Sequence, residues 1–269
     1  MEFIEQYFNS SYRHAYAMLS LLSNIKESEL KQFMIEGKIN IITNRYGGAT
    51  INVEFIESNI KSDDKKNRLE TQTINKINIL FLSANPSDTT RLRLDEEMRS
   101  IDQAIIKSDL RDVVKIEQQW AVKVTDLQEH LMRYKPNIVH FSGHGSESNK
   151  IILEDDQGKS HPVTANALRN LFRSFKDKIR CVVLNACYSE DQAKSIAQHI
   201  DCVIGMSKTI GDKAAISFST SFYRALSYGK NFQTSFDLAC NQLELLNLPD
   251  HETPILITLD KSANKIKLK

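Results

Sequence analysis

The sequence has little of what marks an exported, membrane-bound or low-complexity protein. Its 269 residues include only five prolines and nine glycines, which excludes a Pro/Gly-rich linker protein. No apolar run approaches the roughly 18 residues that a membrane-spanning helix needs. The first residues, MEFIEQYF, lack the basic region of a secretory signal. We therefore expect a cytoplasmic protein that does not associate with membranes.

Cysteine is also scarce, and its spacing excludes a disulfide framework. The four cysteines include no CxxC pair. In a chain without an export signal they are expected to be reduced thiols. Cys181 and Cys202 fall inside apolar runs and Cys240 falls on an amphipathic stretch, which favours buried hydrophobic roles for these three.

No excess of either charge is present. The chain has 35 Lys and Arg against 34 Asp and Glu, a formal net charge of +1. This balance gives no electrostatic reason to expect a nucleic-acid partner. No GxGxxG follows the first apolar strand and no GxxxxGK[ST] occurs, so a nucleotide site is not predicted. No histidine and carboxylate pattern indicates a metal site, and we expect no cofactor.

Residues 77–260 alternate apolar runs with amphipathic stretches, which is typical of an α/β fold. The apolar runs predict six strands, at 77–83, 113–120, 137–143, 181–186, 202–207 and 255–259. Because these runs are almost continuously apolar, we expect a mostly parallel sheet with helices on both faces. Apolar residues at helical spacing predict the helices between the strands. Residues 149–163 predict a hairpin that turns at Asp156-Gln157-Gly158.

The first 75 residues differ from the rest in the pattern of their apolar residues. Apolar spacing predicts helices near residues 3–22 and 25–36, and INIIT and TINVEF alternate like a β-hairpin. Residues 61–76 are polar and charged, which predicts a solvated linker. We therefore predict a small α+β module over residues 1–60, a linker over 61–76 and an α/β domain over 77–269. The module is either a packing appendage or a unit for sensing, docking or self-association.

A histidine and a cysteine each follow a predicted strand. Strand 137–143 leads into His144, which lies between two glycines, and strand 181–186 leads into Cys187. The carboxyl ends of parallel strands share one edge, at which ligands gather. If the two strands are neighbours, His144 and Cys187 form a base and nucleophile pair, and the amides of Gly145 and Cys187 are available to an oxyanion. On spacing alone, a structural cysteine is the alternative. His140, inside its strand, is interpreted as a core histidine.

Four collinear segments resemble the CHAT family, caspase-like cysteine peptidases that are related to separases within the caspase–gingipain clan. The segments are INILFLSANPSDTTRLRLDEEMRSI, IVHFSGHG, VVLNACYS and VIGMSKTIGDKAAISFSTSFYRAL. The resemblance covers about residues 77–260. It implies a caspase-haemoglobinase-like fold and endopeptidase activity on a protein substrate. It also implies that His144 is the catalytic histidine, that Cys187 is the nucleophile, and that Gly145 and Cys187 supply the oxyanion amides.

The resemblance further implies a pocket for the P1 side chain, the residue before the cleaved bond. Its implied lining is the Ala84–Asp88 loop with Asn85, then Asn185, and the stretch 205–208 with Ser207 and the loop that follows. Asn185 is neutral where basic-specific metacaspases have an aspartate.

Asp212 is the candidate acid for a basic P1 side chain, and it also fits an N-cap of the helix that begins there. Both roles are compatible. Cleavage after Arg or Lys and cleavage after a medium apolar residue are both open, and cleavage after Asp is the least expected.

A cytosolic protease must be kept inactive until it is needed. CHAT domains often lie beside sensor modules in prokaryotic conflict systems. The resemblance therefore implies a peptidase that stays latent until a regulatory partner, or self-association, engages residues 1–75 in a defence or signalling system. The alternative is a catalytically idle CHAT-like scaffold that binds peptides or signalling partners. Because His144 and Cys187 are both present, we favour the peptidase.

Overall fold

The structure is a computed structural model, and it describes residues 76–259 together with the backbone of 39–43 and 49–53. The chain divides into two compact units, Met1–Glu70 and Thr71–Lys269. In the first unit, β1 (Ile39–Thr43) pairs antiparallel with β2 (Ala49–Val53), at the positions of the predicted hairpin strands. The predicted helices near 3–22 and 25–36, and all but the last residue of the predicted linker, lie outside the described residues. The domain boundaries therefore stay predictions.

The second unit alternates strands and helices along the chain. Its elements are β3 (Ile77–Ala84), α1 (Leu94–Ile106), β4 (Val114–Gln119), α2 (Leu127–Tyr134), β5 (Ile138–Gly143), β6 (Gly145–Ser146), β7 (Lys150–Glu154), β8 (Ser160–Val163), α3 (Ala165–Arg173), β9 (Cys181–Asn185), α4 (Glu190–Ile196), β10 (Cys202–Met206), α5 (Asp212–Ser227), α6 (Phe232–Leu245) and β11 (Pro254–Thr258). None of helices α1–α6 combines the length and the hydropathy that crossing a membrane requires.

A six-stranded sheet forms the centre of this unit, with the strand order β11-β10-β9-β5-β3-β4. All neighbouring pairs are parallel except β10 and β11, which are antiparallel. This confirms the predicted mostly parallel sheet, and each predicted strand lies within two residues of its observed bounds. The predicted hairpin is also present as β7 and β8, to which the short β6 adds a third strand.

Helices cover both faces of the sheet, as the near-continuous apolar strands predict. Successive residues of β3 point to opposite faces, so Phe81 packs with α1, α5 and α6 while Leu82 packs with α2, α3 and α4. Every residue of β5, β9 and β10 is buried. The central strands are therefore fixed on both sides, and their carboxyl ends open onto one edge of the sheet.

Candidate active site

Strands β5 and β9 are neighbours in the sheet, which was the condition for bringing the histidine and the cysteine together. Ser142 on β5 lies opposite Asn185 on β9. His144 and Cys187 each follow two residues later, and both line one pocket at the carboxyl edge of the sheet. The two core strands therefore position an imidazole and a thiol at the same pocket.

His144 is fixed by two contacts. Its carbonyl oxygen accepts a hydrogen bond from the Ile152 amide at 2.9 Å, which ties it to β7. Its Nε2 lies 2.7 Å from the carbonyl oxygen of Thr90. Because a carbonyl oxygen only accepts, Nε2 carries the proton, and in the neutral ring Nδ1 is the nitrogen that is free to take one. Thr90 thus orients the imidazole through its backbone, and the sequence offered no carboxylate for this task.

The loop that carries Cys187 is a tight, well-anchored turn. The partly exposed Sγ of Cys187 lies 3.8 Å from the carbonyl oxygen of Ile210. Tyr188 follows with a φ of +52°, a left-handed conformation that is costly for a bulky side chain. The buried Ser189 hydroxyl then donates to the Leu184 carbonyl at 3.0 Å and accepts from the Met206 amide at 2.9 Å. The turn is thereby fastened to both β9 and β10.

The backbones of Gly145 and Cys187 are in direct contact. A Cβ added to Gly145 would lie 1.7 Å from the carbonyl oxygen of Cys187 and 3.1 Å from its amide nitrogen. Only glycine fits at this position. A Cβ on Gly143 would likewise lie 2.7 Å from the carbonyl oxygen of Ala84. The two glycines that flank His144 therefore allow its loop to approach both β3 and the cysteine loop.

The pocket has apolar walls and acidic groups. Its apolar side chains are Leu92, Leu94, Ala186, Ile210, Ala215 and Ile216, and its other lining residues besides Gly143 and the two candidate catalytic residues are Arg93, Glu97, Ser142, Asn185 and Asp212. The exposed Arg93 side chain pairs with Glu96 on its own helix. Within the described residues, no three His, Cys, Asp or Glu side chains gather as metal ligands.

Glu97 lies in a buried polar cluster at this pocket. Its carboxylate accepts hydrogen bonds from Asn185 Nδ2 at 2.6 Å and His140 Nε2 at 3.1 Å, and from the hydroxyl of Ser142. Burial by itself raises the pKa of Glu97, but hydrogen bonds from His140, Ser142 and Ser219 outweigh it and hold the pKa below its ordinary value. Glu97 is therefore a buried, ionised carboxylate.

Two of the four predicted substrate-binding residues line the pocket, and two do not. Asn185 and Asp212 are in its lining. Asn85 instead closes its own loop, since its side chain donates to the Leu92 carbonyl at 3.2 Å. Ser207 donates through its hydroxyl to the Thr253 carbonyl at 3.0 Å. These two side chains are engaged in backbone hydrogen bonds, and neither lines the pocket that contains His144 and Cys187.

The prediction that Asp212 is a helix N-cap is wrong by one residue. Gly211 is the N-cap of α5, with φ −77° and ψ 149°, and its carbonyl accepts the Ala215 amide at 2.9 Å. Asp212 is the first helical residue and faces the pocket. Its negative charge there is favourable for the N-terminus of a helix.

Cys181, Cys202 and His140 are core residues, as predicted, whereas Cys240 is partly buried and packs against the core. Cys181 and Cys202 are fully buried. Burial, with the nearby Asp237 and Glu244, raises the pKa of Cys240 to about 12. His140 is fully buried, and both of its ring nitrogens have hydrogen-bond partners.

Sequence reasoning missed Glu97, although a signal was present. Leu94, Met98 and Ile101 mark the apolar stripe of α1, and Glu97 lies on that stripe, three residues after Leu94 and four before Ile101. An acidic residue on the buried face of an amphipathic helix needs buried donors. Thr90, by contrast, acts through its backbone, which leaves no mark in the sequence.

A mostly parallel six-stranded sheet with helices on both faces is the fold of caspase-like proteins, and here it carries His144 and Cys187 at its carboxyl edge. The fold is similar to a secreted C11 cysteine protease from Bacteroides thetaiotaomicron, with a TM-score of 0.51 and 11% identity over 68% of this chain and 66% of that one. Residues 52–255 match the CHAT domain. The chain belongs to the CHAT family, as its resemblance implied.

Curated relatives are longer proteins. A "Probable protease" from Gillisia limnaea is 23% identical over 254 residues, which is 88% of this chain and 45% of that protein. A "Roc-COR-CHAT protease" from an unknown prokaryotic organism is 27% identical over 217 residues, which is 74% of this chain and 20% of that protein. The chain therefore spans less than half the length of these relatives.

Proposed function

We propose that the protein is a cysteine endopeptidase that cleaves a protein substrate with the His144–Cys187 dyad. One observation carries the proposal. Both side chains line the same pocket, and the carbonyl of Thr90 holds the imidazole in the tautomer that leaves Nδ1 free to accept a proton. A free thiol has a pKa of roughly 8.5 and is mostly protonated at neutral pH, so a neighbouring base is what makes it a nucleophile.

In the acylation step, Nδ1 of His144 takes the Sγ proton of Cys187, and the thiolate adds to the carbonyl carbon of the substrate. The carbonyl oxygen becomes an oxyanion, which the amides of Gly145 and Cys187 stabilise. The close approach of Gly145 to the backbone of Cys187 supports this placement. The intermediate collapses as the C–N bond breaks, and the imidazolium gives its proton to the leaving amine.

Deacylation reverses these roles with water in place of the amine. Nδ1 of His144 takes a proton from the water, whose oxygen adds to the thioester carbonyl. The C–S bond then breaks, the carboxylic acid leaves, and the Cys187 thiol is restored with the proton from the imidazolium.

We propose that the P1 side chain enters this pocket. Its apolar walls suit an aliphatic stem, and Glu97 and Asp212 add negative charge to the lining. Asn185 supports the choice further, because its Oδ1 is buried and has no hydrogen-bond partner among the described residues. An acceptor of this kind favours a P1 side chain that carries a donor, and the two carboxylates disfavour Asp and Glu.

The test is cleavage of a proteome-derived peptide library by the full chain, with Cys187→Ala and His144→Ala as matched controls. We expect cuts by the wild type that both variants lose. Cuts that persist in Cys187→Ala would contradict the assignment of the nucleophile. A wild type that cuts neither the library nor denatured protein substrates would favour the idle scaffold or a latent enzyme.

We further propose that the enzyme is cytoplasmic and stays latent until a regulatory partner or self-association engages residues 1–75, in a prokaryotic defence or signalling system. The change in sequence texture near residue 76 and the greater length of the prokaryotic relatives support this proposal. Removal of residues 1–76 should abolish the response to the activating partner. A truncated chain that is folded by circular dichroism and fully active without any partner would contradict it.

A further inference from the structure

A buried carboxylate lies at the proposed active site, and the acylation and deacylation steps described above do not use it. Glu97 is 2% exposed and lines the same pocket as His144 and Cys187. A buried ionised group costs free energy of folding unless hydrogen bonds compensate for its lost hydration. The hydrogen-bond partners of Glu97 therefore indicate which neighbouring residues depend on its position.

Two of the hydrogen-bond partners of Glu97 are the residues that lie two positions before each member of the dyad. Ser142 precedes His144 by two residues, and Asn185 precedes Cys187 by two. Ser142 and Asn185 lie opposite one another on β5 and β9, and both donate to the Glu97 carboxylate. One carboxylate therefore joins the carboxyl-terminal ends of the two strands that lead into the dyad.

The same carboxylate also reaches the helix that borders the pocket. Ser219 on α5 accepts from Asn185 Nδ2 at 3.1 Å, and Asn185 Nδ2 also donates to Glu97. On the other side, His140 links Glu97 to the hydroxyl of Tyr223, which lies 3.1 Å from its Nδ1. Hydrogen bonds that link several buried polar groups in this way restrict the arrangements that are open to each of them.

We infer that Glu97 is a positioning residue, which sets the placement of His144 relative to Cys187 by holding Ser142 and Asn185 from a single buried carboxylate. The inference rests on the proposed dyad. A carboxylate suits this task because its two oxygens accept several donors at once. An amide at the same place has one acceptor oxygen, and its NH₂ group would face the donors of its neighbours.

A double-mutant cycle on the rate of Cys187 alkylation tests the inference and does not require a known substrate. Iodoacetamide modification of Cys187 in the full chain is followed by peptide mapping in wild type, His144→Ala, Glu97→Gln and the double variant. In the otherwise native chain, we expect His144→Ala to slow the reaction about tenfold, because the thiolate loses its base. In the Glu97→Gln background, the same change should slow it less than about twofold.

Two further variants separate positioning from general loosening. Ile101→Ala removes a buried side chain one turn along α1 and leaves the polar cluster intact, so the full effect of His144 should remain. Ser142→Ala deletes one donor to Glu97 and should reduce the effect of His144 partway, which keeps the test decisive if Glu97→Gln does not fold. Glu97→Asp, which retains a carboxylate, should restore part of the effect.

The outcomes distinguish the two claims. An undiminished His144 effect in folded Glu97→Gln and in Ser142→Ala would overturn the role of Glu97 and leave the dyad standing. Equal loss of the His144 effect in Ile101→Ala would also overturn the role of Glu97. A general loosening of α1 would then be enough to explain that loss. No effect of His144→Ala in the otherwise native chain would overturn the dyad itself, and the positioning role with it.

Discussion

A Cβ on Gly145 would lie 1.7 Å from the carbonyl oxygen of Cys187. No rotamer change can relieve this overlap, because both partners are backbone atoms. The loop that follows β5 and the loop that follows β9 therefore approach this closely only because residue 145 is glycine.

Gly145→Ala should separate the two loops and lower kcat/KM by on the order of 100-fold, because displacements near 1 Å are that costly in catalysis. Gly229→Ala is the matched control. Gly229 has a φ of +75° and nothing within 4 Å of an added Cβ, so alanine there should cost about 1–2 kcal/mol of stability and leave activity unchanged. Kinetics and urea unfolding of both variants check the prediction, and a fully active Gly145→Ala would refute it.

Ser189→Ala should loosen the cysteine loop. The lost hydroxyl leaves the Leu184 carbonyl and the Met206 amide without their partner, at a cost of roughly 1–3 kcal/mol in the free energy of unfolding. We expect the rate of Cys187 alkylation to fall in the folded variant as well. Ser217→Ala, which removes a hydroxyl that bonds its own helix at Lys213, should change neither quantity. Similar losses in both variants would contradict the anchoring role of Ser189.

Glu97 should contribute stability that depends on pH. Because its folded pKa lies below the ordinary 4.5, the fold favours the ionised form. The contribution is therefore complete above the ordinary value and is lost as pH falls through the lower folded value. Glu97→Gln should cost on the order of 3 kcal/mol at neutral pH, since it leaves buried groups unpaired. Urea unfolding from neutral pH to about pH 3 should show this difference shrinking. A difference that stays constant would contradict an ionised Glu97.

Asp212 should influence the choice of P1 side chain through its charge. In Asp212→Asn, we expect kcat/KM for peptides with Arg or Lys at P1 to fall about tenfold, while apolar P1 peptides stay within about twofold. Acidic P1 peptides should rank last in the wild type. Equal losses for basic and apolar peptides would show that Asp212 acts on the fold of the α5 terminus instead.

The strands were predictable because a strand that is buried on both faces has a nearly continuous run of apolar residues. Most helices were predictable from the spacing of their apolar residues. Periodicity carries no direction, however, so it did not reveal that β11 runs antiparallel to β10. The presence of His144 and Cys187 in one pocket was predictable once the strands were ordered, since each residue follows the end of a buried strand.

The rest of the pocket was harder to predict, for two physical reasons. Thr90 acts through its carbonyl oxygen, which every residue has. Leu92 and Ile210 reach the pocket from loops, whose paths periodicity does not specify. Asn85 and Ser207, which were carried over by position, do not line this pocket, and their side chains hydrogen-bond to the backbone of other segments. Glu97 was the one missed residue with a readable signal, as an acid on the apolar stripe of α1.

The most direct test of the central claim is to locate the covalent adduct that a peptide-based electrophile forms with the full chain, by intact mass and peptide mapping. The account predicts a single adduct on Cys187, no adduct in Cys187→Ala, and a reaction about 100-fold slower in His144→Ala. An adduct on Cys181, Cys202 or Cys240, or an unchanged rate without the imidazole, would contradict it.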